Sequence, residues 1–517
     1  MLQASGRSIV NASGQTVILK GMNLGGYMVM EPWMCPCDSG GLPDSHSIIS
    51  ELDSRFGVAE EQALIRDYEQ SWITTQDFVN IKNDGFNAIR VPVWWGNFWP
   101  MSSQTTSSWR SDAFTQLDWI VSNAAAAGLY TVIDMHGVVG GQSTSDDTGW
   151  QNQNQYWTNG NDQGNTAWMW WEIANHYKGN GNVAGYDLIN EPTGAPSNAA
   201  VISAYAGLYT SVRSADPSHI IIMEGTWGSW NWSMLPSPSS EGWTNVVYEM
   251  HEYQYNTTQA VVEQGSANQI TDFNNHASYN VPDYIGEWND MGYDSAYQYS
   301  YDLYTTNGIS STMWAYKGTD GLNPNGWAMY GPTYWATTPN VSTDSEAAIA
   351  ADWGEWTTAG TFALNSGLGF TKIGNTTYTL TPQCAPALRL DDSNASTATG
   401  NPIKVYSANG TGAQNWSASN SGVTPAGYYN FATEGAYCLT ASGTTSGSPA
   451  VLDPCVGSSG QAWEAVATGT GSYYILHPAN NTALCLDVED ASSTSGTGVQ
   501  VYTCNSTNAQ SWNLSVN

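Results

Sequence analysis

The chain has 517 residues, 41% of them hydrophobic, enough to bury a barrel-sized core plus a smaller module and too many for wholesale disorder. Its formal net charge of −32, from 45 acidic against 13 basic residues, repels phosphate backbones and anionic lipid, so no nucleic acid and no membrane is expected as a partner. Only 11% of residues are charged, while Trp 25 and Tyr 29 far outnumber Phe 9, a balance that suits a neutral, hydroxyl-rich partner.

The first residues, Met1-Leu2-Gln3-Ala4-Ser5-Gly6-Arg7, have no apolar core of a secretory leader, and no apolar run reaches the roughly 18 residues of a membrane span. Seven cysteines and Asn-X-Ser/Thr sequons at Asn11, Asn256, Asn375, Asn409 and Asn505 suit an oxidising exterior. A secreted, extracellular protein whose leader has been removed is therefore the expectation, acting as a monomer.

From residue 9 to about 350, short β-rich runs alternate with helix-length stretches. Val17-Ile18-Leu19-Lys20 leads into Gly21-Met22-Asn23. A helix beginning near Thr75 precedes Ala88-Ile89-Arg90-Val91-Pro92. An Ala-rich helix from Leu117, stopped by Gly128, precedes Tyr130 to Asp134. Val183 to Ile189, His219 to Met223, Val246 to Met250, Tyr284-Ile285-Gly286 and Thr312-Met313-Trp314 complete eight candidate strands. The pattern predicts a parallel (β/α)8 TIM barrel, in which the carboxyl ends of the strands carry the chemistry. A helix-like stretch from Ser345 to Thr358 closes it.

Two glutamates stand at such strand ends, in Asn190-Glu191-Pro192 and in Gly286-Glu287-Trp288. Retaining glycosidases set two carboxyls roughly 5–5.5 Å apart, one serving as acid and then base, the other as nucleophile. Structural glutamates at strand ends are common, so either motif alone says little. Both in barrel order outweigh that bland reading by roughly ten to one.

This constellation resembles glycoside hydrolase family 5, a retaining clan-A family, over residues of about 9 to 345. The resemblance implies that Glu191 is the acid/base and Glu287 the nucleophile. It implies that Arg90 positions the nucleophile and that His136 and Asn190 meet the cleaved sugar. His251 and Tyr253 match the family's sixth-strand pair, and Trp314 its eighth-strand platform. Taken alone, His136 or His251 would read as a satisfied core histidine; their joint placement reverses that. Gly21-Met22-Asn23-Leu24-Gly25-Gly26-Tyr27 through Glu31-Pro32-Trp33 looks like the fungal exo-β-1,3-glucanase group, which implies that Glu31 binds hydroxyls of a terminal glucose. Residues Val93-Trp94-Trp95-Gly96-Asn97 depart from that group, and the Ser143 to Thr148 loop follows it only loosely.

Beyond about residue 370 Gly, Ser, Thr and Asn dominate, and Gln414-Asn415-Trp416, Gln461-Ala462-Trp463 and Gln510-Ser511-Trp512 recur at spacings of 47 and 49 residues. Three such units predict a three-fold all-β module. They resemble a ricin-B-type β-trefoil, carbohydrate-binding module family 13. The expected plan is a barrel over 1–365 followed by a β-trefoil domain over 366–517. By resemblance Asp487 accepts sugar hydroxyls, Tyr502 stacks on the ring, and Asn508 and Gln510 complete a third-repeat site. The first repeat keeps Asp391, Tyr406 and Gln414 but has Gly412 where Asn508 aligns. The second has Thr440 and Asp453 at the acidic and aromatic positions and is expected not to bind. Trp416, Trp463 and Trp512 read as core struts.

The trefoil resemblance also implies bridges Cys438–Cys455 and Cys485–Cys504, and none in the first repeat, which has Arg389 and Ala408. Cysteines one residue apart seldom bridge each other. Cys384 is accordingly expected to pair with neither Cys35 nor Cys37, with at least one thiol left free. No second ligand pair accompanies Cys35-Pro36-Cys37, so no metal and no cofactor is expected.

The reading is a retaining β-glycosidase on β-glucan polysaccharide or oligosaccharide, foremost a glucan β-1,3-glucosidase. A β-1,6-glucanase or disaccharide-releasing enzyme would use the same carboxylates in a different cleft. A lectin without catalysis would leave the strand-end residues unexplained.

Overall fold

A computed structural model describes residues 1–101, 109–225, 234–319, 327–365, 377–421, 428–468 and 473–516. The sequon at Asn375 lies outside them. Eight parallel strands form a closed barrel: β1 (Lys20–Asn23), β2 (Ala88–Trp94), β3 (Tyr130–Gly137), β4 (Val183–Asp187), β5 (Ile220–Glu224), β6 (Val246–Tyr253), β7 (Asp283–Asn289) and β8 (Ser310–Met313). Each pairs with the next, and β8 returns to β1. β1 starts later than its aliphatic run suggests, because the Val17 N–H bonds back to the Ile9 carbonyl. β6 and β7 run on past their aliphatic parts to Tyr253 and Asn289, so strand as well as loop builds the barrel mouth.

The helices follow their sequence signals. Thr75–Asn83 begins where expected, and Thr115–Ala127 ends at Gly128, whose φ of 75° is the left-handed conformation glycine adopts freely. The stretch expected over 345–358 divides in two. Glu346–Gly354 is capped by the Ser345 side chain, which accepts the Ala348 N–H, and a separate turn covers Thr358–Thr361.

The inside of the barrel is graded along its axis. At the amino ends an N-terminal hairpin, Gln3–Ser5 with Ser8–Val10, brings Leu2 and Ile9 against Leu19, Ala88, Ala184, Ile220, Val247 and Tyr284, which seals that end with apolar side chains. Toward the carboxyl ends the facing partners turn polar: Asn23 opposite Arg90, Asp134 opposite Asp187, Glu224 opposite Glu249, and His251 opposite Glu287. Such a ring is sustainable only if its members satisfy one another.

Contacts divide the chain into two compact units, one of Met1–Lys82, Phe86–Tyr293 and Asn307–Gly367, the other of Asn83–Gly85, Asp294–Thr306 and Leu368–Asn517. From Thr377 onward the second unit is antiparallel β, with four strands to each repeat. Its three tryptophans are fully buried and play one part three times. The indole N–H of Trp416, Trp463 and Trp512 donates to the carbonyl of Leu390, Leu439 and Leu486 at 3.0, 2.8 and 2.9 Å.

Cys438–Cys455 and Cys485–Cys504 are bridged and Cys384 is free. Cys35 and Cys37 also bridge, contrary to the expectation for such close neighbours. The local chain turns enough to bring their Cα atoms to 5.4 Å, within the range a disulfide spans.

Candidate active site

Glu191 stands four residues past β4, held on the mouth of the barrel by a loop pinned on both sides. The Asn190 N–H donates to the Met135 carbonyl at 3.1 Å, and the Gln142 side chain donates to the Asn190 carbonyl at 2.9 Å. Glu191 itself has a φ of 38°, a left-handed conformation uncommon for a side-chain-bearing residue. Its N–H donates to Glu224 at the end of β5.

Glu287 lies within β7. One oxygen accepts from Arg90 Nη1 at 2.8 Å and the other from the Tyr253 hydroxyl at 2.7 Å. Arg90 is in mid-strand rather than at the end of β2, and its side chain is completely buried. The guanidinium also reaches Asp187 at 2.9 Å, Asn190 at 2.8 Å, Asn23 at 3.1 Å and Asp134 at 3.2 Å. Burial works against its charge, but Asp134, Glu249, Asp187 and Glu287 outweigh that and hold its pKa well above the usual value.

His251 connects the two glutamates. Its Nδ1 is 2.7 Å from Glu191 Oε1 and 3.4 Å from Glu287 Oε2, and its Nε2 is 3.5 Å from Glu249. Burial lowers its pKa to about 4 despite the attraction of Glu287, so the imidazole is neutral near pH 7. Glu191 is driven the other way: burial pushes its carboxyl up to about 7, with Arg90 opposing and Asp134 adding to the rise. His136 pairs its Nδ1 with Asp134 at 2.6 Å, is lowered to about 4 by burial, and stacks 5.6 Å from the Trp314 ring.

These groups surround a cavity of about 490 Å³. Glu31, His136, Asn190, Glu191, Tyr253, Glu287 and Trp314 all line it. Arg90 and His251 do not; their side chains are turned to the glutamates instead, Arg90 to Glu287 and His251 to Glu191. Glu31 is buried, with one oxygen accepting the Trp33 indole N–H at 3.0 Å and the other unpartnered among the described residues. Burial first, then Asp147, Asp146 and Glu287, push its pKa well up. The wall adds Trp33 of the Glu31-Pro32-Trp33 motif and Asp147 of the Ser143 to Thr148 loop, together with Tyr255 and Trp327, which no motif contained; Trp33 and Trp327 lie ring to ring at 5.2 Å.

The unforeseen members of the supporting ring are Asn23, Asp134, Asp187, Glu224 and Glu249. A weak signal existed for Asp187 and Glu224, each closing an apolar strand, as in Ile220-Ile221-Ile222-Met223-Glu224, whereas Asp134 and Glu249 lie inside β3 and β6. Ligand atoms of Glu191, Glu224 and His251 lie within 4.8 Å of one another, a spacing that could also accept a metal ion. His477 approaches Cys485 and Cys504 as closely, but those sulfurs are consumed by their bridge.

In the trefoil, the third-repeat Asp487 is oriented by Gln510 at 3.1 Å and Gln500 at 2.9 Å, beside the exposed Tyr502 and Asn508. Gln510 is fully buried and its amide is committed to Asp487, the Thr503 carbonyl and the Asn505 N–H, so it orients Asp487 from behind. Gln414 does the same for Asp391, at 3.0 Å, beside the exposed Tyr406. In the second repeat Gln461 meets Thr440, and Asp453 accepts the Gly400 N–H.

The profile of the cellulases, glycosyl hydrolase family 5, matches residues 56–320. The chain belongs to that family. A ricin-type β-trefoil lectin domain matches residues 376–512 of this family 5 chain. A β-xylosidase of Phanerodontia chrysosporium is 30% identical over 255 residues, 49% of this chain and 52% of that protein. A probable glucan 1,3-β-glucosidase A of Aspergillus niger is 30% identical over 246 residues, 46% of this chain and 56% of that one. The chain thus spans about half the length of these curated relatives. The crystal structure of a rutinosidase from Aspergillus niger superposes with a TM-score of 0.50 over 65% of this chain and 98% of that one; at 15% identity the likeness is one of fold.

Proposed function

We propose that this family 5 chain hydrolyses β-glucan with retention of configuration, as a glucan β-1,3-glucosidase. One observation carries the reading. A single nitrogen, His251 Nδ1, is 2.7 Å from Glu191 and 3.4 Å from Glu287, so those carboxyl oxygens are separated by no more than about 6 Å. Two carboxyls this close suit a covalent intermediate, for which retaining pairs stand roughly 5–5.5 Å apart.

In the first step Glu191 gives its proton to the glycosidic oxygen as the bond to the anomeric carbon breaks, and a Glu287 oxygen bonds to that carbon. Arg90 and Tyr253 aim the Glu287 oxygens. In the second, Glu191, now a carboxylate, takes a proton from water while the water oxygen displaces Glu287. Glu31, His136 and Asn190 offer polar atoms to the sugar's hydroxyls, and Trp314 offers a flat face. The β-1,3 linkage is supported by the Glu31-Pro32-Trp33 motif and by relatives named glucan 1,3-β-glucosidase. In this reading the body over 1–365 catalyses, and the module over 366–517 holds carbohydrate at Asp487, Tyr502 and Asn508 and at Asp391 and Tyr406. The disulfides and the exposed sequons at Asn256, Asn409 and Asn505 support action outside the cell.

The test is glucose release from laminarin, with the first-formed anomer identified by proton NMR. The wild type is expected to yield β-glucose, and Glu191→Gln and Glu287→Gln to lose at least about 10³-fold in kcat/KM. An α-anomer would refute retention. Cleavage of a β-1,6-glucan or a rutinoside with laminarin untouched would refute the linkage.

A further inference from the structure

We infer that Glu224 is a positioning residue that fixes the backbone of Glu191 so that its carboxyl can serve as acid and base. The inference rests on the glycosidase reading. Glu224 closes β5, is 1% exposed and does not line the cavity, so it acts through another group and not on the sugar. One of its oxygens accepts the Glu191 N–H. That bond holds a residue whose φ of 38° an L-side chain rarely adopts, and which needs a fixed partner to persist.

Glu224 is itself clamped from behind. The Tyr205 hydroxyl, on the buried face of the helix Asn198–Ala215, donates to the Glu224 carbonyl at 2.9 Å and accepts its N–H at 3.1 Å. Its other carboxyl oxygen lies 3.7 Å from His251 Nδ1, the nitrogen bonded to the Glu191 side chain. Glu191 is therefore held at two points, by Glu224 on its backbone and by His251 on its carboxyl. Burial, reinforced by Glu191 and Asp187, pushes the Glu224 pKa well up and favours its neutral form. A neutral amide of the same shape keeps the acceptor, so glutamine can take its place.

The experiment compares kcat/KM on laminaribiose, whose leaving sugar needs a proton, with kcat/KM on 2,4-dinitrophenyl β-glucoside, whose leaving group does not. Glu224→Met is expected to lose about 10²-fold on laminaribiose and less than about threefold on the aryl glucoside. Glu224→Gln should stay within about threefold of wild type on both. Glu224→Ala replaces the methionine variant if circular dichroism finds that one unfolded. Equal losses on both substrates, or no loss on laminaribiose, would overturn the inference. Glu191→Gln is the control. If it shows no dependence on leaving group, the acid/base assignment has failed, and the fault lies with the reaction and not with Glu224.

Discussion

A β-carbon on Gly286 would fall 1.4 Å from Glu249 Oε1, because β6 delivers that buried carboxyl directly against the backbone of β7. Gly286→Ala should displace Glu249 and lower stability by about 1–3 kcal/mol, the usual cost of overpacking. A melting curve superimposable on wild type would count against it. The neighbouring Glu287 makes the same variant a sensitive probe of activity. As the proposed general acid, Glu191 would set the pH response, since that role needs its proton and burial pushes its pKa up to about 7. The alkaline limb of kcat/KM should therefore fall as pH rises through that value, and a profile flat to pH 9 would contradict the role. Glu191 and Glu287 were legible in the sequence because each sits in a local motif. Glu224 and Glu249 were not. Glu224 merely ends an apolar run and Glu249 lies inside β6, and they face one another only through the pairing of β5 with β6, a register that no window of sequence contains.

At the scale of elements, the trefoil repeats were readable for the opposite reason: the same buried strut is written three times at nearly constant spacing. Its two bridges close segments of 17 and 19 residues. Replacing Cys485 and Cys504 together by serine should cost about 2–4 kcal/mol, seen as earlier unfolding in denaturant. Cys384→Ser should leave the midpoint unchanged. The eight barrel strands were also legible as aliphatic runs, but where they stop was not. β6 continues through His251 and Tyr253, and β7 through Glu287, because these polar residues find partners inside the barrel mouth. Hydrophobicity marks where a strand is buried in apolar surroundings and says nothing of strand that continues into a polar network. The Cys35–Cys37 bridge was not legible either, since their spacing in sequence does not show the turn that brings their Cα atoms to 5.4 Å.

Over the whole molecule, the buried acids determine how stability responds to pH. Burial lifts Glu61 to about 7, Glu69 to about 8 and Asp134 to about 7, each against the pull of nearby arginine. An unfolded carboxyl releases its proton near pH 4. Between those values the folded chain binds protons that the unfolded chain has lost, so stability falls as pH rises. The penalty is absent below about 4 and complete above about 8. Asp216 runs the other way: burial raises it, but the His219 side chain and the Ser218 N–H hold it to about 2, so its contribution is lost only as pH drops from about 4 toward 2. Calorimetry from pH 4 to 8 should find Tm highest at the acidic end of that range, and a Tm that climbs toward pH 8 would disprove the account.

The hairpin that seals the barrel turns Leu2 and Ile9 inward at the end away from the cavity, while Met1 remains exposed. A peptide handle or surface tether joined at that residue would thus emerge from the blind side. Chains immobilised through it would offer their entrances to the medium, and should degrade a soluble oligosaccharide as fast as free ones do.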